Sequence, residues 1–310
     1  MARLCAKPGS PSLSVSTAHF CFRRLVAAIL AVGTLAGGIT SAEAQQLKPY
    51  KDDLFSYGKV LEESDGGDHR VVDYQELRDI NERDEIPERR VKRAFVSLGV
   101  KGEQANETLD VGGRPLEVTR VGREQGAAFS VIFIHGRGGD RRLGANDFSF
   151  GGNFNRLKNF AVANGGVYYA PSVRTFDKAG AADVAGLVKL AAERSGGRPV
   201  VLACASMGSF ICWGVSRDAD AVASLSGMMI MGGASDPDFA KSAAFAARLP
   251  MFFSHGSRDS VYPATSQEAL YRSLKGQGYP ARFVLFETGS HGTPVRMTDW
   301  RDALNWIGSR

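Results

Sequence analysis

Pro199-Val-Val-Leu-Ala-Cys-Ala-Ser206-Met-Gly208-Ser-Phe-Ile-Cys-Trp213 is the stretch on which the reading of this chain turns. A short apolar, β-rich run ends at Ala-Cys-Ala, a serine follows, and an apolar run with helical spacing comes after it. The pattern predicts a strand, a sharp turn and a helix, with a hydroxyl on the turn. The positions two before and two after the serine are small, Cys204 and Gly208, as a turn with closely passing backbone requires. Two readings remain open at this point. Ser206 either projects its Oγ from a strained elbow or caps the helix that follows.

Three further stretches bear on that choice. After the apolar run Phe129–Ile134 comes His135-Gly136-Arg137-Gly138-Gly139-Asp140, a glycine-rich loop whose backbone N–H groups can turn inward. Such donors stabilise the negative charge that develops on a carbonyl oxygen during acyl transfer. A phosphate-binding loop would need a Gly-Lys-Ser/Thr ending, which is absent. Phe252-Phe-Ser-His-Gly-Ser-Arg-Asp259 then runs through Ser-Val-Tyr to Pro263 and places an aspartate just past a strand; Asp236 and Asp238 are its rivals. Finally, Phe283-Val-Leu-Phe-Glu-Thr-Gly-Ser-His291-Gly sets a histidine on a glycine-flanked loop after the last strand.

Ser206, Asp259 and His291, in that order, each past a strand, resemble the nucleophile, acid and base of the α/β-hydrolase superfamily. Cys204 stands where that family's Gly-x-Ser-x-Gly elbow has its first glycine. The resemblance covers roughly Ala94 to Arg310, and the lid-poor chain looks like the carboxylesterase/phospholipase and dienelactone-hydrolase branches. It implies a mostly parallel central sheet with antiparallel N-terminal strands, helices on both faces and little or no lid. It also implies a Ser-His-Asp triad working through an acyl-enzyme, with the backbone N–H groups of Arg137 and Met207 as the oxyanion hole and His135 holding the loop. A carboxylic ester is the expected substrate. A serine peptidase, a thioesterase and a catalytically silent binding protein on the same fold are the alternatives. Arg137, Arg141 and Arg142 are either contacts for a substrate carboxylate or phosphate, or solvated surface. Phe148, Phe150, Val173, Met228 and Tyr262 are candidate pocket walls by position.

The rest of the 310-residue chain frames this domain. Arg23-Arg24, an apolar run from Leu25 to Ile39 and Ala42-Glu43-Ala44 make residues 1–44 an expected secretory signal peptide. Cleavage after Ala44 would give an exported protein, periplasmic or secreted, without a stable membrane anchor. It would also remove Arg3, Lys7, Arg23, Arg24 and Glu43, so the net charge of +5 belongs largely to the discarded segment and gives no reason to expect a nucleic-acid partner. Residues 45–93 are heavily charged and are expected as an extension draped over the catalytic domain, 94–310, with one helix around Tyr74–Ile80. Phe95–Gly99, Glu107–Val111 and Pro115–Val121 are predicted as antiparallel strands, and strand–helix alternation from Phe129 onward predicts the parallel sheet. Of four cysteines, Cys204 and Cys212 remain after cleavage. With one at a strand end and the other two turns into a helix, they are expected as free buried thiols. No metal motif and no dinucleotide fingerprint occurs, so no metal or cofactor is expected; the partner expected is a small acyl substrate.

Overall fold

Strands whose side chains are buried on both faces form the centre of a ten-stranded sheet. The computed structural model describes residues 46–310, apart from 82 and 86–89; the expected signal peptide lies outside the described residues. In chain order the strands are β1 (Val60–Ser64), β2 (His69–Asp73), the two-residue pair β3 (Asp84–Glu85) and β4 (Arg90–Val91), β5 (Gln104–Asp110), β6 (Pro115–Gly122), β7 (Ser130–Ile134), β8 (Val167–Pro171), β9 (Val200–Ala205), β10 (Gly227–Met231), β11 (Met251–Gly256) and β12 (Ala281–Glu287). The main sheet runs β1-β2-β12-β11-β10-β9-β7-β8-β6-β5. From β2 across to β8 every pairing is parallel. β1 on one edge and β6 with β5 on the other are antiparallel. This is an α/β fold, and every central strand ends on the same edge, where ligands of such sheets bind.

The period-two alternation of the strands divides the core into two layers. Val131, Phe133, Val201, Ala203, Met229 and Phe252 face one side, packed with residues of the helices Asn153–Ala163 and Trp300–Gly308. Ile132, Ile134, Leu202, Ile230 and Phe253 face the other, packed with residues of Lys178–Ser195, Ser209–Val215 and Ala264–Gly276. Local chemistry sets the ends of these helices. Asp177 accepts from the N–H groups of Ala179 and Gly180 at the start of the helix Lys178–Ser195, and Gly196, at φ 69°, closes it. Between β10 and β11 lie only a short 3-10 turn and the four-residue helix Ala243–Ala246, so nothing there forms a lid. No described helix is long and apolar enough to cross a membrane.

Two expectations about the first part of the chain need correcting. Residues 45–93 do not merely drape over the domain, because β1 and β2 extend the main sheet and β2 pairs with β12 from Phe283↔His69 to Glu287↔Asp73. Charges of this segment are met across the edge: Arg70 meets Glu63 at 3.1 Å and Asp302 at 3.5 Å, and Asp68 meets Lys275 at 2.9 Å. Phe95–Gly99 is not a strand. The Ser97 N–H donates to Asn155 Oδ1 and its carbonyl accepts from Asn155 Nδ2, so a side chain takes the backbone groups that a ladder would use.

Candidate active site

The elbow is built as its small residues require. β9 ends at Ala205, and Ser206 follows with φ 53°, a left-handed conformation that costs a non-glycine residue about 1–2 kcal/mol. A Cβ on Gly208 would lie 2.7 Å from the His135 carbonyl oxygen and 3.0 Å from that of Ile134, so glycine alone fits there. Cys204 and Cys212 are joined by a disulfide, with Cα atoms 6.2 Å apart, and both are fully buried. The expectation of free thiols is therefore corrected. The helix begins at Ser209 directly after the 3-10 turn, so Cys212 is one turn into it, above the strand end.

Ser206, His291 and Asp259 meet in one hydrogen-bonded row. His291 Nε2 lies 2.8 Å from Ser206 Oγ, and Nδ1 lies 2.8 Å from Asp259 Oδ2. The Asp259 side chain is fully buried, whereas His291 keeps 27% of its side chain exposed. Asp259 Oδ1 accepts the N–H groups of Val261 and Tyr262 at 2.8 and 3.0 Å. Burial alone would raise the carboxyl's pKa; bonds from His255, His291 and these two amides outweigh it and hold the group well below the usual carboxylate range. The rival acids are engaged elsewhere, Asp236 with Arg217 at 2.6 Å and Asp238 with Lys241 at 2.7 Å.

The loop after β12 carries His291 and is held from two sides. Thr288, at φ 61°, donates its hydroxyl to the Tyr74 carbonyl just past β2, and Ser290 N–H donates to Thr293 Oγ1 at 2.9 Å. The loop after β7 passes directly over Ser206. A Cβ on Gly136 would sit 2.9 Å from Ser206 Cβ and 3.2 Å from Oγ. His135 is buried beneath this loop. Its Nε2 accepts from the Val173 N–H at 3.0 Å, so Nδ1 carries the proton and donates to the Gly136 carbonyl at 2.8 Å. Burial lowers its pKa, in keeping with a neutral ring.

The other expected site residues are scattered. Tyr262 is at the row, its ring 5.9 Å from that of His291. Phe150 lies beside the histidine loop, 3.7 Å from where a Gly292 Cβ would stand. The Arg141 guanidinium donates to Asn106 Oδ1 and Thr119 Oγ1 on β5 and β6. Arg142 pairs with Asp140 at 2.8 Å. Phe148 packs under the Arg90 guanidinium, 5.2 Å from its centre, on the N-terminal segment. Met228 is fully buried near the start of β10, at the wrong end of the strand for a pocket wall. Two residues at the site escaped the sequence reading. Phe210, 42% exposed, sits 6.5 Å ring to ring from Tyr262 and was legible only as a helix residue after the elbow. His255 Nε2 lies 3.1 Å from Asp259 Oδ2, and its signal was the four-residue spacing in His-Gly-x-x-Asp.

No family model matches the sequence, and no curated protein matches it either. Solved structures do match the fold. A thermostable esterase superposes with a TM-score of 0.52 at 15% identity, over 67% of this chain and 63% of that one. A serine hydrolase without a lid from Xanthomonas campestris gives 0.47 at 18% identity, over 66% of this chain and 93% of the other. An esterase from Pyrococcus furiosus gives 0.48 at 14% identity, over 66% and 91%.

Proposed function

From a chain with the α/β-hydrolase fold, we propose a serine hydrolase that cleaves carboxylic esters. The observation that carries this is the row of two 2.8 Å contacts from Ser206 Oγ through His291 to a buried Asp259, with the serine raised on a left-handed elbow. Ser206 Oγ attacks the ester carbonyl while His291 Nε2 takes its proton, and Asp259 stabilises the imidazolium. The carbon–oxygen bond of the ester then breaks, and the alcohol leaves with that proton. Water, deprotonated by the same nitrogen, attacks the acyl-enzyme and releases the acid and the free serine.

The backbone N–H groups of Arg137 and Met207 are the oxyanion donors in this reading. His135 supports it by holding the Gly136 carbonyl. In a trans peptide the N–H of the next residue points the opposite way, so fixing that oxygen also fixes the Arg137 donor. Phe210, Val261 and Tyr262 make a partly exposed apolar ledge running up to His291, suited to the hydrocarbon part of an ester. Export fits the same reading, since a buried disulfide belongs to an oxidising compartment.

Purified Gln45–Arg310, assayed on chromogenic esters of short and long acyl chains, is expected to turn them over. Ser206→Ala should lower kcat by about 10⁴-fold or more. Turnover that survives in the variant, or a wild-type serine inert toward a fluorophosphonate, would reject the proposal.

A further inference from the structure

We propose that His255 is a buried imidazolium, a positioning residue that shares the Asp259 carboxylate with His291 and sets the pH range over which the serine is active. The inference rests on the triad reading above and concerns a residue which that mechanism does not use.

The ring is fully buried, and every group facing it accepts. From the loop after β11, the Tyr262 carbonyl lies 2.9 Å and Asp259 Oδ2 3.1 Å from Nε2. Neither can donate, so Nε2 carries a proton. From the helix Ala264–Gly276, Gln267 Oε1 lies 2.8 Å from Nδ1. The orientation of that amide is fixed by its other end, because Gln267 Nε2 donates to the Gly233 carbonyl, after β10, at 3.3 Å. Turning the amide over would bring two oxygen acceptors together and leave both without a proton. Nδ1 therefore carries a proton as well, and the ring is a cation. A buried charge of this kind persists when a counter-ion and hydrogen bonds meet it, and Asp259 with the two oxygen acceptors supplies both. Burial pushes the ring's pKa down, but the bonds from Asp259, Gln267 and the Tyr262 carbonyl outweigh it and raise the value.

The consequence follows from the shared oxygen. His255, on β11, and His291, on the loop after β12, both bond Asp259 Oδ2. A cation behind the carboxylate offsets part of the negative charge that the other ring faces, so the row keeps working further into the acid range. His255→Gln keeps a donor toward Asp259 and removes the charge. The full carboxylate charge then acts on His291, and activity is lost at a higher pH.

The rate at which a fluorophosphonate labels Ser206 reads this without knowledge of the substrate. In His255→Gln the acid limb of that rate against pH is expected to move up by about one unit. An unmoved limb in a folded variant would overturn the proposal. Should the variant not fold, nitrogen-15 spectra of the wild-type side chains decide the matter. Both His255 ring nitrogens are expected to be mostly protonated at pH 6.5, where an ordinary histidine is half protonated, and a ring with one nitrogen mostly bare at that pH would overturn the proposal. If wild-type Ser206 does not label at all, it is the hydrolase reading that falls; the spectra still report the charge of His255.

Discussion

The sulfur atoms of Cys204 and Cys212 join the residue two before Ser206 to the helix that carries the chain away from it. Closing so short a loop restricts the unfolded chain, worth about 2–3 kcal/mol. Replacing both cysteines with alanine should lower the stability by at least about that amount, read as a lower urea midpoint. Because both sulfurs are buried, reductant alone should leave the native protein oxidised. At this scale the sequence was legible where a residue's place depends on a strand end: Ser206, Asp259 and His291 each follow one. It was illegible where place depends on a distance along an element. Met228 and Met231 are both on β10, and only their height on the strand separates core from catalytic edge. The pairing of Cys204 with Cys212 hinged on the helix starting without a linker, which spacing alone does not give.

At the scale of the element, β2 and the residue after it hold the loop of His291 from behind. Tyr74 is 2% exposed, packs edge-on against Phe286 and lends its carbonyl to Thr288, three residues before His291. Tyr74→Ala should cost about 3–5 kcal/mol of stability. It should also slow fluorophosphonate labelling of Ser206 while the variant is still folded, since without the ring packed on Phe286 the carbonyl that holds Thr288 is no longer fixed in place. Chemical denaturation and labelling on the same sample check both. β2 was hidden in the sequence because His-Arg-Val-Val-Asp lacks the apolar run of a buried strand. Its polar side chains are met in part by residues far along the chain, Glu268 and Asp302 among them. The inner strands carried their own signal in continuous apolar runs, as parallel strands covered on both faces do.

Across the whole molecule, Asp68 gathers charges from segments distant in sequence. Lys275 reaches it at 2.9 Å, Arg282 and Arg310 at 3.3 Å, and the Trp306 indole donates at 2.8 Å. Burial raises this carboxyl's pKa, but the bonds from Lys275 and Trp306 outweigh it and bring it below its ordinary 3.8. A carboxylate with a depressed folded value contributes stability above its unfolded value and loses it as pH falls through the folded one. Stability should thus decline below about pH 4, and the decline should be shallower in Asp68→Asn, measured by urea unfolding at a series of acid pH values. The layered α/β plan was readable from strand–helix alternation, and the antiparallel β5 and β6 from their turns. The far edge was not, since it is made by the two ends of the chain meeting.

That meeting has a bearing on how the protein is made. β2 leaves the ribosome among the first of the described strands, and its parallel neighbour β12 is the last. Until Glu287 has emerged, β2 has no parallel neighbour and His291, four residues further on, has not been added. On the proposed reading, the long-range pairing of β2 with β12 and the completion of the Ser206–His291–Asp259 row therefore come together, after every other described strand has been supplied.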